Sequence, residues 1–196
     1  MKNVKRLAVY CGSAPGSQPA FAELTRATAR AMVKHDVELV YGGGRLGLMG
    51  IIADSVLELG GKAYGVIPQL LVHLEVAHTG LTELRHVITM GERKAVMSEM
   101  SDGFLCLPGG IGTLEGFFEI LTWGQLGIHN KPCGVLNVAG YFDLLTGFLD
   151  HAVREGFLTA EHRQMILVES DPGKLLERMG QYAPAEGERL MGRANR

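Results

Sequence analysis

The chain has 196 residues, of which 46% are apolar and 20% charged, and its formal net charge is −2 at neutral pH. A chain of this length and apolar content can bury one sizeable core, which favours a single domain. The small negative charge provides no basic face for duplex nucleic acid or an anionic membrane, so neither is expected as a partner.

Short apolar runs alternate along the chain with segments of helical period. The runs predict β-strands at Arg6–Cys11, Glu38–Tyr41, Lys62–Ile67, Leu84–Ile88, Gly103–Leu107, Gly134–Val138 and Met165–Val168. The helical segments are Ala20–His35, Leu48–Leu59, Gly91–Met100, Thr113–Leu126, Tyr141–Glu155 and Pro172–Gln181. This alternation predicts an α/β fold, an open doubly wound parallel sheet whose strands are covered by helices on both faces. We expect one domain over residues 1–181 and a polar tail over 182–196.

The N-terminal segment has basic residues followed by only about six apolar ones, too few for a signal peptide or a membrane span. We therefore expect a cytoplasmic protein. Cys11, Cys106 and Cys133 are odd in number and lack CxxC spacing. Buried free thiols are a better interpretation of them than disulfides or catalysis.

Three glycine-rich junctions follow predicted strands, at the sheet edge where such folds bind ligands. The first, Cys11–Gly16, contains Ser13 and is compatible with either close ligand approach or a plain loop. The second has three consecutive glycines, Gly42, Gly43 and Gly44. Their backbone entropy cost favours approach of an anion or nucleotide over a simple turn.

The third junction, Pro108-Gly109-Gly110-Ile111-Gly112-Thr113, precedes a predicted helix. Bare backbone N–H groups at a helix N-terminus, together with the helix dipole, form a phosphate cradle. This junction contains neither GxxxxGK[ST] nor GxGxxG, which argues against ATP hydrolysis and NAD chemistry there. We expect a bound phosphate here.

Arg93 provides a second source of positive charge. On a helix it shares a face with Val96, Met97 and Met100, so its guanidinium should point into a cleft and pair with a phosphate or carboxylate. A structural salt bridge is the alternative. Lys94 is weaker evidence, because a surface lysine needs no special explanation.

Together these motifs resemble the Lonely Guy family of cytokinin riboside 5′-monophosphate phosphoribohydrolases, some of which carry an older lysine decarboxylase label. The residues that carry the resemblance are GGGRLGLMG at 42–50, Arg93-Lys94, PGGIGT at 108–113 and TWGQLGIHNKP at 122–132. The resemblance extends from Arg6 to Met179. It implies a Rossmann-like homodimer that hydrolyses the N-glycosidic bond of a nucleoside 5′-monophosphate, such as AMP or N6-isopentenyl-AMP, to free base and ribose 5-phosphate.

The resemblance also implies the roles of individual residues. Breaking the glycosidic bond builds oxocarbenium character on the ribose, which a carboxylate must stabilise. The expected catalytic residues are Arg93 and Glu115. Residues expected to bind substrate are Ser13, Gly43, Gly44, Glu75, Lys94, Gly109, Gly110, Ile111, Gly112, Thr113, Gly116 and Thr122.

One departure from the family pattern affects catalysis. The family motif PGGxGTxxE ends on a glutamate, and that position is Gly116 in this chain. Glu115 is displaced by about 100° around the helix, and Glu119 lies one turn further along, from where it could reach back over Gly116. Rescue by either glutamate, strongly reduced activity, and loss of catalysis with binding kept all remain open.

Other chemistries find little support in the sequence. The seven histidines lack HxxxH or HExxH spacing, so no metal is expected, and no organic cofactor is expected either. Amino-acid decarboxylation would need a pyridoxal phosphate lysine, and Lys94 is better placed for phosphate.

Two classes of function remain: a phosphoribohydrolase, or a nucleotide- or cofactor-binding protein without turnover, similar to molybdenum-cofactor carriers. The excess apolar surface of the helix at Thr113–Leu126 predicts a second subunit.

Overall fold

The computed structural model describes residues 4–72 and 76–184 of the chain. Glu75 and most of the predicted tail therefore lie outside the described residues. None of the described helices is long and apolar enough to cross a bilayer.

Within the described chain, seven strands form one sheet in which every neighbouring pair is parallel. The strands are β1 (Arg6–Tyr10), β2 (Glu38–Tyr41), β3 (Ala63–Pro68), β4 (Glu83–Val87), β5 (Gly103–Cys106), β6 (Cys133–Leu136) and β7 (Ile166–Glu169). Their order is β4-β3-β2-β1-β5-β6-β7, which confirms the predicted doubly wound parallel sheet.

Helices connect the strands and cover both faces of the sheet. They are α1 (Pro19–Lys34), α2 (Gly47–Glu58), α3 (Met90–Glu99), α4 (Ile111–Gln125), α5 (Asp143–Arg154), α6 (Ala160–Gln164) and α7 (Pro172–Gly180). One core cluster contains buried residues of α1, α2 and α7, and a second contains buried residues of α3 and α4. Alternate strand residues point to opposite clusters, as in β1, where Leu7 and Val9 join the first and Ala8 and Tyr10 the second.

The predicted elements are confirmed, with ends that shift by one or two residues. The sequence patterns missed α6 and a 3₁₀ turn at Gln69–Leu71, both too short to show a hydrophobic period. The Thr159 hydroxyl, which accepts from the His162 amide, was the available signal for α6. The expectation that strands are covered on both faces is wrong for β4, because this edge strand leaves Glu83, Arg85 and His86 exposed.

All three cysteines are buried and none of them forms a disulfide, as predicted. Burial raises the pKa of both Cys106 and Cys133, that of Cys133 to about 12. Both thiols therefore stay protonated at neutral pH and pack as small apolar groups.

Candidate functional site

A cavity of about 360 Å³ opens at the carboxyl ends of β1 and β5. The chain leaves β1 toward β2 on one side and returns to β5 on the other, so this is the point where strand order reverses and loops diverge. Three of the lining segments are the predicted glycine-rich junctions. The wall consists of Val9, Tyr10, Cys11, Gly12, Ser13, Gly42, Met49, Leu71, Met90, Arg93, Lys94, Met97, Gly110, Ile111, Gly112, Thr113, Glu115 and Gly116.

The first turn of α4 faces this cavity. The first intrahelical bond of α4 runs from the Leu114 amide to the Gly110 carbonyl, 3.1 Å, so the amides of the three preceding helical residues have no acceptor one turn back. A methyl group added at Gly110 or Gly112 would meet no atom within 4 Å. The backbone is thus bare on the side of the cavity, and the positive end of the helix dipole points there. This arrangement is suited to an anion.

The loop after β1 is tied to the loop after β5. The Gly12 amide donates to the Pro108 carbonyl at 3.0 Å, and the Gly12 carbonyl accepts from the Met49 amide at 3.3 Å. A Cβ at Gly12 would lie 3.1 Å from the Ala14 carbonyl oxygen and 3.2 Å from the Gly109 Cα, so a side chain there would push the two loops apart. Ser13 follows on the cavity wall and is exposed.

The triple glycine after β2 contributes differently from expectation. Gly42 lines the cavity, whereas Gly43 and Gly44 lie behind the wall. Gly43 adopts a left-handed conformation with φ +79 and accepts a hydrogen bond from the His78 amide at 2.9 Å. Gly44 forms an isolated bridge with Ala77. In this arrangement the second and third glycines shape the connection between β2 and the segment that precedes β4.

Arg93 lies on α3 and is 8% exposed. Its Nε donates to the Val66 carbonyl at 3.0 Å, and its Nη2 donates to the Gly42 carbonyl at 2.7 Å. The guanidinium thereby joins the carboxyl ends of β2 and β3 while lining the cavity. It places a fixed positive charge on the wall.

Lys94 is also buried and extends to α4. Its Nζ lies 2.5 Å from Glu115 Oε1 and 2.8 Å from Glu119 Oε2. Burial lowers the pKa of Lys94, but the hydrogen bonds and charges of the two glutamates outweigh it and hold that pKa above its ordinary value. Among the described residues, Glu115 is the one carboxylate on the cavity wall.

Gly116, the position of the family glutamate, packs under Tyr10. An added Cβ there would lie 2.9 Å from Tyr10 Cε1 and 3.0 Å from Cδ1. Tyr10 is 8% exposed, and its hydroxyl has no hydrogen-bond partner within the described chain. Burial raises the pKa of Tyr10, so the phenol stays neutral.

The structure assembles most of the predicted site. Gly109 lies just outside the wall, where its carbonyl accepts from the Tyr141 hydroxyl at 2.6 Å, and Ile111 is 88% exposed on the wall. Thr122 is exposed near the other end of α4, and its hydroxyl donates to the Phe118 carbonyl at 2.9 Å. It does not line the cavity. Glu75 cannot be placed, because it lies outside the described residues.

Sequence reasoning missed the apolar part of the wall, formed by Tyr10, Met49, Leu71, Met90 and Met97. Met49 lies inside a motif, Tyr10 directly precedes the first glycine-rich junction and Met90 lies three residues before Arg93, so proximity to the motifs was the available signal. In residues 4–72 and 76–184, no group of three or more histidine, cysteine, aspartate or glutamate side chains is placed to hold a metal ion.

Comparison with known proteins gives the family. Residues 49–179 match the family described as possible lysine decarboxylase. A cytokinin riboside 5′-monophosphate phosphoribohydrolase of Rhodococcoides fascians is 46% identical over 168 residues, which are 85% of each chain. One from Arabidopsis thaliana is 41% identical over 180 residues, covering 92% of this chain and 84% of the relative.

Solved structures share the fold at low identity. The molybdenum cofactor binding protein of Rippkaea orientalis superposes with a TM-score of 0.70 at 17% identity, over 92% of this chain and 98% of that chain. The molybdenum cofactor carrier protein of Chlamydomonas reinhardtii superposes with a TM-score of 0.63 at 16% identity, over 88% and 94%. These likenesses concern the fold, whereas the sequence relatives show that the chain belongs to the Lonely Guy family of cytokinin riboside 5′-monophosphate phosphoribohydrolases.

Proposed function

We propose that the protein hydrolyses the N-glycosidic bond of a nucleoside 5′-monophosphate, AMP or an N6-modified AMP such as N6-isopentenyl-AMP, to free base and ribose 5-phosphate. One observation carries the proposal: the amide cradle of α4 and the carboxylate of Glu115 face the same cavity. The names of relatives at 41% and 46% identity support the same reaction.

The cavity wall has a polar half and an apolar half, which bind different parts of the nucleotide. The 5′-phosphate binds the first-turn amides of α4 and the Thr113 hydroxyl, where the helix dipole favours negative charge. The Ser13 hydroxyl completes this polar half. The base lies against the apolar half formed by Met49, Leu71, Met90 and Met97, and a short aliphatic N6 substituent has suitable contacts there.

Glu115 supplies the carboxylate that the reaction needs. As the C1′–N9 bond lengthens, its electron pair moves to the base and positive charge develops on the ribose. The Glu115 carboxylate stabilises this charge and accepts a proton from the water that attacks C1′. Arg93, a cation on the same wall, stabilises the negative charge that gathers on the departing base. The base then takes up at N9 the proton that Glu115 accepted from water, which returns Glu115 to a carboxylate.

Base release from AMP and N6-isopentenyl-AMP, followed by chromatography, tests this function. The unaltered protein should release adenine or its N6-isopentenyl form, and Glu115→Gln should lower kcat on the order of 10²-fold or more. Glu161→Gln, an exposed glutamate on α6, is the matched control. Absence of base from both nucleotides would overturn the proposal.

Gly116 supports a second candidate, a nucleotide- or cofactor-binding protein without turnover. The Gly116→Glu variant separates the two. It restores the family motif, although the new Cβ requires the Tyr10 ring to shift. If only this variant releases base, the protein as given is a binder; if the unaltered protein turns over, Gly116 is compatible with catalysis.

We further propose a homodimer in which α4 contributes to the interface. Leu114, Phe118 and Trp123 of α4 are only partly buried, and Leu144 of α5 is 90% exposed. Within one subunit Thr122 lies about 13 Å along the helix from Thr113, so contact between Thr122 and a bound nucleotide requires a second subunit. A monomer in sedimentation at micromolar concentration would contradict this. A cytoplasmic location stays a prediction from the sequence.

A further inference from the structure

We infer that Lys94 and Glu119 are positioning residues that hold Glu115 as the reacting carboxylate, in place of the acid that is absent at Gly116. The inference rests on the proposed hydrolase function and names how this chain carries it out. It also gives Lys94 a different role from the phosphate contact expected from the sequence.

The geometry of the three charged groups carries this inference. Lys94 Nζ lies between Glu115 Oε1, 2.5 Å away, and Glu119 Oε2, 2.8 Å away. Glu115 and Glu119 are four residues apart on α4, so both point to the same side of the helix. A buried ammonium that contacts both carboxylates restricts the side-chain rotamers of each.

The exposure of the two glutamates separates their roles. The Glu115 side chain is 51% exposed and lines the cavity, where it can reach a ribose. The Glu119 side chain is 33% exposed and is absent from the wall, and its Oε2 is fully buried. Glu119 therefore acts on the reaction through Lys94, whereas Glu115 meets the substrate.

The charge of the cluster argues against Lys94 as a phosphate ligand. One ammonium between two carboxylates gives the group a net charge of −1. A phosphate that approached Lys94 would also approach both carboxylates, which repel it.

The packing around Gly116 explains why the acid comes from its neighbour. The Tyr10 ring occupies the side of α4 where a side chain at position 116 would start, with 2.9 Å from Cε1 to the added Cβ. Tyr10 is also packed edge-on against Phe117, with ring centroids 6.4 Å apart. The direction from which the family glutamate would act is thus filled, while the direction of Glu115 is open.

Four variants test the inference through two separate quantities, kcat for base release and the calorimetric Kd of ribose 5-phosphate. Lys94→Met keeps the length of the side chain and removes the charge, Lys94→Arg keeps the charge, and Glu119→Gln keeps the shape. Glu83→Gln, which removes the acid of a surface ion pair with Arg85, is the control.

We expect Lys94→Met and Glu119→Gln to lower kcat by roughly 10- to 100-fold, because a misplaced catalytic group costs rates of that order. The Kd of ribose 5-phosphate should change less than about twofold, since the phosphate binds the amides of α4. Lys94→Arg should recover most of the kcat lost in Lys94→Met. Thermal unfolding shows whether each variant is folded, and Glu119→Gln, the mildest change, still tests the inference if Lys94→Met does not fold.

The opposite pattern of effects on kcat and on the Kd of ribose 5-phosphate would overturn the inference that Lys94 and Glu119 are positioning residues. If Lys94→Met weakens ribose 5-phosphate binding on the order of tenfold and keeps its kcat, Lys94 is a phosphate ligand. Unchanged kcat in Glu119→Gln would equally reject a positioning role. These results concern an active parent protein; a parent that releases no base from either nucleotide refutes the proposed function itself.

Discussion

The two glycine-rich loops after β2 and β5 look alike in sequence but are rich in glycine for different reasons. In the loop after β5, a methyl group at Gly110 or Gly112 would meet nothing within 4 Å. In the loop after β2 and the start of α2, a Cβ at Gly42 would lie 2.2 Å from Arg93 Nη2, and one at Gly50 would lie 2.0 Å from the Arg45 carbonyl oxygen. Gly110 and Gly112 therefore leave their backbone open for a ligand, whereas Gly42 and Gly50, like Gly109 at the start of the loop after β5, lack a side chain because of close packing.

The difference teaches that a run of glycines does not by itself locate a binding surface. Both loops end at the same edge of the sheet and both precede a helix, so their sequence context is equivalent. What separates them is the charged residue behind the loop. Arg93 crosses from α3 to fill the space beside Gly42, and nothing described fills the space in front of Gly112.

The largest effect should come from Gly42→Ala, which tests whether the loop after β2 is glycine-rich because of Arg93. The new Cβ displaces the guanidinium and breaks its 2.7 Å bond to the Gly42 carbonyl. We expect kcat/KM for base release to fall on the order of 10²-fold, as for other misplaced active-site groups. Gly147→Ala, at an open position on α5, is the control and should keep full activity. Full activity in Gly42→Ala would remove the contrast between the loops.

A stability effect should follow from Gly50→Ala in α2. The atom that a Cβ would meet is a backbone oxygen, which cannot rotate away as a side chain can. Overpacking of this kind costs about 1–3 kcal/mol. Urea denaturation should show a lower midpoint with an unchanged slope. An unaltered midpoint would mean that α2 shifts without penalty and that the loop is less tightly packed than the contacts indicate.

The sheet and its helices could be predicted because each has a strong local pattern. Apolar runs such as Phe104–Cys106 give buried strands, and the long helices show clear periods. The site was predictable in its backbone part, since bare amides before α4 follow from the glycines alone. Edge exposure in β4 could not be predicted, because strand order is a property of the whole sheet and not of the strand.

The side-chain part of the site was less accessible to sequence reasoning. Arg93 and Lys94 are neighbours in sequence, and the sequence alone predicts that both contact the substrate. On α3 they diverge by about 100°, and the first reaches the strand ends while the second reaches α4. Tyr10 was missed because its role depends on Gly116, a residue more than 100 positions away in sequence.

In the loop after β5, a glycine substitution should change stability by less than Gly50→Ala does, and in the opposite direction. Gly112→Ala adds a methyl group in free space within the first turn of α4, and replacing a helical glycine with alanine stabilises by roughly 0.5–1 kcal/mol. The unfolding midpoint should therefore rise slightly. Because the methyl group stands on the cavity wall, ribose 5-phosphate should bind more weakly by calorimetry. A rise in stability with unchanged binding would place the phosphate elsewhere.

The smallest expected effect is on the pH dependence of stability. It concerns His129, beside the end of α4 that lies away from the cavity, and leaves both glycine-rich loops unchanged. His129 Nε2 donates to the Ile120 carbonyl at 2.9 Å, and its Nδ1 accepts from the Lys131 amide at 3.1 Å, so the neutral ring uses both nitrogens. Burial, aided by the charge of Lys131, lowers the pKa of His129 below its ordinary value of 6.5, although the bond to Ile120 opposes the shift. The folded state therefore binds this proton less readily than the unfolded state, and stability present above pH 6.5 is lost as the pH falls through the folded pKa.

Urea midpoints should decline from pH 7 to pH 5, and less so in His129→Gln, whereas His86→Gln at an exposed position should keep the pH dependence of the parent. The cradle at the other end of α4 does not involve this ring, so ribose 5-phosphate binding should persist until the protein unfolds; loss of binding before unfolding would show that the two ends of α4 are coupled.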